Sequence, residues 1–304
     1  MPSSVKKGFS ALPAWLRLMR PEQWTKNALV MAAFFFAYWD PGQHLRGTGW
    51  RPALLSLAAT ALFCIVSSGV YALNDWKDRE ADRLHPVKKL RPVASGEIAP
   101  KTALIMAAGL LVAGLGLSAF SVKLLAVLAA YVLLQLVYTA KLKHIPLLDV
   151  FVIAIGFVLR AVAGAAVLSA RISPWLLLCT FLLALFLALC KRRQEKVTHK
   201  EEEQRKSLRA YSTEFLNILI SISAGATVVA YALYTLSAET ISRFGTPLLG
   251  LTIPVVIFGV FRYMHLVYSA NEGERPERVL LTDRVIIITV LIYFALTALL
   301  FIYK

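Results

Sequence analysis

Asn74, Asp78 and Asp82 stand four residues apart in the segment Asn-Asp-Trp-Lys-Asp-Arg-Glu-Ala-Asp, directly after the apolar run 53–73. On a helix that spacing stacks three oxygen-bearing side chains along one face. At a membrane surface such a face suits Mg²⁺, which keeps several waters and takes one or two carboxylates together with substrate phosphates. Lys88, Lys89 and Arg91 follow at once. Carboxylates beside cations are what a Mg-diphosphate site requires, whereas carboxylates alone would fit a solvated helix end. Asp75 and Glu80 lie in the same segment, and spacing does not decide whether either joins the metal.

Other polar groups are spread along the chain. Asp149 and Arg160 are eleven residues apart in one apolar run. At ~100° and ~1.5 Å per residue they differ by about 20° around a helix and about 16 Å along it. They are therefore expected on one cavity-facing stripe. An arginine inside a membrane is costly and marks function by default; the alternative is a structural ion pair with another helix. No carboxylate stands at similar depth in the other runs, so Arg160 is expected to meet a substrate phosphate. Lys26 and Asn27 open the first run, where snorkelling is the plainer role for Lys26. Tyr138, Lys141 and Lys143 close the fourth run, and Lys191, Arg192 and Arg193 the sixth. Each group could equally be topology-setting charge. His85 is read as supporting the metal ligands or stabilising the loop, Arg262 as snorkelling, and Cys64, Cys179 and Cys190 as packing residues.

The elements that must position these groups are membrane helices. The 304 residues are 58% hydrophobic with mean hydropathy +0.64, too apolar for a soluble domain. Nine apolar runs reach crossing length: roughly 24–39, 53–74, 101–120, 122–140, 146–168, 174–190, 215–237, 246–268 and 284–303. Residues 1–23 read as an amphipathic interfacial segment, centred on 8–20, and 24–304 as one domain. The net charge of +15 does not point to nucleic acid. With the N-terminus in the cytoplasm, 25 of the 33 Lys and Arg fall on cytoplasmic segments and six on the other side, the asymmetry that fixes orientation. The long links after the second and sixth runs are cytoplasmic, so chemistry is expected there.

Together these residues resemble the UbiA superfamily of intramembrane transferases. The resemblance covers nearly the whole chain. Its carriers are the Asn74–Asp82 motif, Arg91-Pro92-Val-Ala-Ser-Gly96-Glu-Ile, Arg20-Pro-Glu-Gln-Trp24-Thr-Lys26-Asn27, and Asp149 with Gly156-Phe-Val-Leu-Arg160-Ala-Val-Ala-Gly164. It implies an all-α bundle of nine transmembrane helices with a polar active site facing the cytoplasm, in a bacterial inner membrane. Aromatic prenyltransferases of the superfamily carry a second Asp-rich motif after the sixth span. Here Cys190-Lys191-Arg192-Arg193-Gln194-Glu195 stands there. The chain is similar instead to the branch that moves phosphoribosyl from phosphoribosyl diphosphate to a polyprenyl phosphate. That chemistry adds two phosphates to the site, each about −1.5 to −2 at neutral pH, and calls for more Lys and Arg.

The resemblance implies Mg²⁺ on Asn74, Asp78 and Asp82, with Asp78, Asp82 and Arg160 catalytic. Substrate contacts would come from Lys26, Asn74, Lys88, Lys89, Arg91, Tyr138, Lys141, Asp149, Arg160, Lys191 and Arg192. The product, a decaprenylphosphoryl phosphoribose, would feed cell-wall arabinan assembly. The partners would be the two substrates and the bilayer, with a homo-oligomer compatible. Competing readings are an aromatic prenyltransferase and a transporter of an anionic metabolite. A transporter places charges near the midplane, but here they gather at one face.

Overall fold

Runs of Leu, Ala, Val and Ile without charge leave the backbone one way to satisfy its polar groups in lipid, the helix. The computed structural model describes residues 12–45, 47–85, 87–198, 206–269, 279 and 281–303, and among them every regular element is helical. In chain order these are α1 (Ala14–Met19), α2 (Leu29–Trp39), α3 (Arg51–Leu84), α4 (Pro100–Leu117), α5 (Val122–Ala140), α6 (Leu148–Leu168), α7 (Pro174–Thr198), α8 (Lys206–Arg209), α9 (Thr213–Leu236), α10 (Ala238–Phe244), α11 (Ile253–Ser269) and α12 (Arg284–Ile302). Proline stands in the first turn of α3 and α4 and opens α7, where its missing N–H is no loss. Ser121, Ser212 and Asp283 cap α5, α9 and α12 through their side-chain oxygens.

Among the described residues, eight helices are long and apolar enough to cross a bilayer: α3 to α7, α9, α11 extended to Leu248, and α12. The chain is thus an integral membrane protein. The first expected crossing, 24–39, takes another form. Arg20 adopts a left-handed conformation, Pro21 follows, and Pro21–Ala28 winds as an eight-residue 3₁₀ helix into the eleven-residue α2. Polar side chains there turn inward to bond, as Trp24 and Asn27 do to α3. At ~2.0 and ~1.5 Å per residue the two pieces still reach about 32 Å. Of the expected N-terminal amphipathic segment, residues 1–11 lie outside the described residues. The remainder forms α1, with Leu18 buried and Trp15 exposed.

α6 is the axis of the bundle. Fifty-six per cent of its apolar window is buried, against 17% for α12 at the rim. One core joins α2, α3, α5 and α6 through Val30, Phe63, Leu128 and Ala163. A second joins the start of α6 to α7, α9, α11 and α12 through Val150, Phe186, Ile220 and Val267. α2 approaches α6 closely at Gly164, where a Cβ would lie 2.1 Å from the Val30 carbonyl oxygen. Backbone cannot yield as a side chain can. Gly164→Ala is therefore expected to cost about 1–3 kcal/mol by overpacking. Thermal unfolding in detergent measures this, and an unchanged Tm would refute the close approach.

Candidate active site

α3 is 34 residues long, about 51 Å at ~1.5 Å per residue, against a hydrocarbon core of ~30 Å. Its C-terminal turns therefore project from the membrane and carry the Asn74–Asp82 motif. Phe63, Ser67, Tyr71, Asn74 and Asp78 recur every three or four residues and form one continuous face. That face meets α5, α6 and the 3₁₀ helix before α2, so the motif continues downward into the bundle.

At the upper end, the Thr139 hydroxyl donates to Asn74 Oδ1, and Lys77 Nζ donates to the Thr139 carbonyl at 3.2 Å. Lys143 Nζ donates to Asp78 Oδ1 at 2.6 Å. Asp82 turns the other way, toward Asp75, and Arg91 Nη1 lies 2.6 Å from Asp82 Oδ2 and 3.2 Å from Asp75 Oδ1. Arg20 completes the group with an ion pair to Asp75 and a cation–π contact over Tyr71. Burial alone would lower the pKa of Arg20, but Asp75 and Tyr71 outweigh it and hold it above the usual guanidinium value. Burial lowers that of Arg91, and the charge of Arg20 adds to the effect. The motif thus divides into Asn74 with Asp78 on the α5 side, and Asp75 with Asp82 on the arginine side. Glu80 is exposed and pairs with Arg79 and Arg83.

The loop after α3 holds its shape locally. His85 Nδ1 accepts from the backbone N–H of Val87 and Lys88, the loop-stabilising one of the two roles expected of it. Val93 and Ile98 are buried against Leu18 of α1 and Ala72 of α3. Gly96 turns the chain between them at φ 85°, a conformation that glycine adopts without strain. Lys88 is half-buried and close enough to act on Asp82 electrostatically, while Lys89 is exposed.

The supposed stripe of Asp149 and Arg160 resolves into two environments. Asp149 is fully buried and accepts from Arg192 Nε at 2.7 Å and from the Tyr211 hydroxyl at 2.8 Å. Arg192 also pairs with Glu195. The Tyr211 oxygen accepts from the N–H of Leu147, which sits at φ 67°. Burial, reinforced by Asp149, pushes the Tyr211 phenol well above its ordinary pKa, so it remains a donor. Arg193 bonds to Asn217 at 2.8 Å and stacks over Tyr268. Arg192 and Arg193 are each engaged by protein partners. Asp149 and Arg192, opposite charges buried together, require one another. Lys191 lies 4.0 Å from Glu195, Tyr138 acts on Arg192 electrostatically, Lys141 is exposed and Lys26 half-buried.

Arg160 is 4% exposed. Its Nε donates to Asn27 Oδ1 at 2.8 Å, Nη1 to the Gly156 carbonyl at 2.8 Å and Nη2 to the Tyr131 hydroxyl at 3.3 Å. Phe63, Tyr131 and Phe157 present their rings 5.1–5.2 Å away. Among the described residues no carboxylate pairs with it. Sequence reasoning missed Asn27 as the partner of Arg160, Lys143 as the partner of Asp78, and Arg20. All three stood in noted segments, but only tertiary contact selects them. The open cleft of about 570 Å³ lined by Asp40, Gln43, Arg171, Glu239 and Arg243 lies at the other end of the bundle.

The upper face offers a divalent cation only oxygen donors, with neither thiol nor imidazole, and the Asp78 side chain is 34% exposed. No cluster of three or more His, Cys, Asp or Glu among the described residues could cage an ion. Such a donor set fits a hard cation that takes its remaining ligands from water and phosphate.

The chain is 34% identical over 277 residues to a decaprenyl-phosphate phosphoribosyltransferase of Corynebacterium glutamicum, covering 89% of this chain and 81% of that one. It is 32% identical over 292 residues to the protein of the same name from Mycobacterium tuberculosis, covering 92% and 91%. A UbiA homologue from Archaeoglobus fulgidus, bound to GPP and Mg²⁺, shares the fold with TM-score 0.72 at 21% identity over 93% of this chain and 97% of that one. Residues 28–285 match the UbiA prenyltransferase family, and this chain belongs to it.

Proposed function

We propose that this protein transfers 5-phosphoribosyl from phosphoribosyl diphosphate to a polyprenyl phosphate, decaprenyl phosphate by its relatives' names, and releases diphosphate. The observation that carries the reading is the cationic excess of the polar column. Arg20, Arg91, Lys143 and Arg160 stand with Asp75, Asp78 and Asp82, and α7 carries Lys191 where an aromatic prenyltransferase would bring more carboxylates. Three phosphate-bearing groups need that balance, and the relatives' names agree with it. The enzyme is thus a pentosyltransferase, and its product would supply arabinan assembly.

Asn74 and Asp78 would hold Mg²⁺, which when bound neutralises the diphosphate leaving group, while Asp82, expected beside them, turns to Arg91 and would aim that arginine at the donor's phosphates. Lys88, Lys89, Arg91 and Arg20 grip the donor's phosphates from the water side. Lys26, Tyr138, Lys141 and Lys191 add contacts at the same end of the bundle. Asp149 and Arg192 act by holding α6 to α7. The bond from the anomeric carbon to diphosphate breaks with the electron pair going to diphosphate, and oxocarbenium character builds by analogy with glycoside chemistry. A lipid phosphate oxygen forms the new bond. That oxygen is already anionic, so no general base is needed. The site lies on the cytoplasmic side of the inner membrane, by the distribution of Lys and Arg. The 3₁₀ helix with α2 makes the ninth crossing, and α1 rests in the interface.

The reading is tested by substrate choice. Purified protein with Mg²⁺ and polyprenyl phosphate should carry label from phosphoribosyl diphosphate into the organic phase. It should not join an isoprenyl diphosphate to an aromatic acid. The reverse preference would make it an aromatic prenyltransferase.

A further inference from the structure

The column has two ends, and a displacement reaction assigns them different substrates. The diphosphate belongs at the water end, with Asn74 and Asp78. A nucleophile that displaces it must approach the anomeric carbon from the opposite side, which is the membrane side. The acceptor's hydrocarbon chain also holds its phosphate on that side. Ser67 lies seven residues before Asn74 on the same face of α3, about 10 Å deeper at ~1.5 Å per residue. It accepts from Asn27 Nδ2 at 3.2 Å, and Asn27 Oδ1 in turn accepts from Arg160 Nε at 2.8 Å. The Arg160 guanidinium is therefore fixed at that depth.

We infer that Arg160 binds the phosphate of the polyprenyl phosphate acceptor, and that Asn27 is the positioning residue that aims it. This inference rests on the proposed transfer. Three rings and the burial of Arg160 make a site of low dielectric, where a cation without a carboxylate partner among the described residues attracts an anion strongly. A phosphate that ends a hydrocarbon chain matches both the rings and the charge. The donor's 5-phosphate, on a hydrated sugar, is matched instead by Arg20, Lys88 and Arg91 nearer water. Asn27 is locked by donating to Ser67 and to Cys64 Sγ, both at 3.2 Å. Its carbonyl therefore stays toward Arg160, and with Nη1 also donating to the Gly156 carbonyl and Nη2 to the Tyr131 hydroxyl, the second N–H on each Nη is left for phosphate oxygens. In the reaction the acceptor oxygen bonds to the anomeric carbon as diphosphate departs from the other face, so the anomeric configuration inverts.

The test is a split of kinetic and binding constants. Arg160→Lys and Asn27→Ala are assayed with Mg²⁺, varying each substrate in turn, and labelled phosphoribosyl diphosphate is bound directly without lipid. Losing a charge-assisted contact should raise the KM for polyprenyl phosphate about 10- to 100-fold in Arg160→Lys, less in Asn27→Ala, with donor binding unchanged. A raised donor Kd with an unchanged lipid KM would move Arg160 to the 5-phosphate and overturn the inference. So would equal loss of both, or unfolding of both variants, which would make the network structural. Wild-type protein that binds polyprenyl phosphate through Arg160 yet transfers no phosphoribosyl would sink the proposed function and leave this assignment standing.

Discussion

Asp78→Ala is expected to lower kcat/KM by on the order of 10²–10³-fold, the equivalent of about 3–4 kcal/mol of transition-state stabilisation, with little change in Tm. The Asp78 side chain is 34% exposed and its pair with Lys143 spans the mouth of the site. Exposed pairs contribute about 0–1 kcal/mol to stability; Lys143 is only 11% exposed, so the loss of its partner should cost somewhat more, a fall in Tm still minor beside the loss of activity. Asp82→Ala should lose activity to a similar degree but also lower Tm. Asp82 is 5% exposed, and its removal takes one of the two carboxylates from Arg91. Kinetics with varied Mg²⁺, alongside thermal unfolding, separate the two. Near-normal turnover in both variants would place the metal elsewhere.

The second large effect concerns stability. Asp149→Ala should destabilise the protein by about 3–5 kcal/mol, because removing one member of a buried pair leaves the other uncompensated. Arg192 would lose its 2.7 Å partner, although Glu195 remains, and Tyr211 would lose its acceptor. Asp149→Ala with Arg192→Leu should recover part of the loss. Thermal unfolding in detergent reads both. If Asp149→Ala kept its Tm and lost only activity, Asp149 would be a substrate contact, as its place in the sequence first implied.

That contrast shows what the sequence could carry. Periodicity puts Asp149 and Arg160 about 20° apart around α6. It could not say which neighbours come against each turn. The start of α6 meets Arg192 and Tyr211, whereas its middle meets Asn27 and Tyr131. The acidic motif shared this fate. Its i, i+4, i+8 spacing is real, but about 80° separates Asn74 from Asp82 at ~100° per residue, enough for Arg91 to claim one end and Thr139 and Lys143 the other. The eight longer crossings were legible because apolar length alone specifies them. The winding of 21–39 was not, because its polar residues satisfy themselves against α3 in a 3₁₀ form that hydropathy does not register.

Following each part of the donor separately decides whether phosphoribosyl is transferred whole. Phosphoribosyl diphosphate labelled separately in the ribose, the 5-phosphate and the diphosphate is incubated with protein, Mg²⁺ and polyprenyl phosphate. Ribose and 5-phosphate labels should enter the lipid in equal amounts, while one equivalent of labelled diphosphate stays in water. Diphosphate label in the lipid, or ribose label without the 5-phosphate, would contradict it.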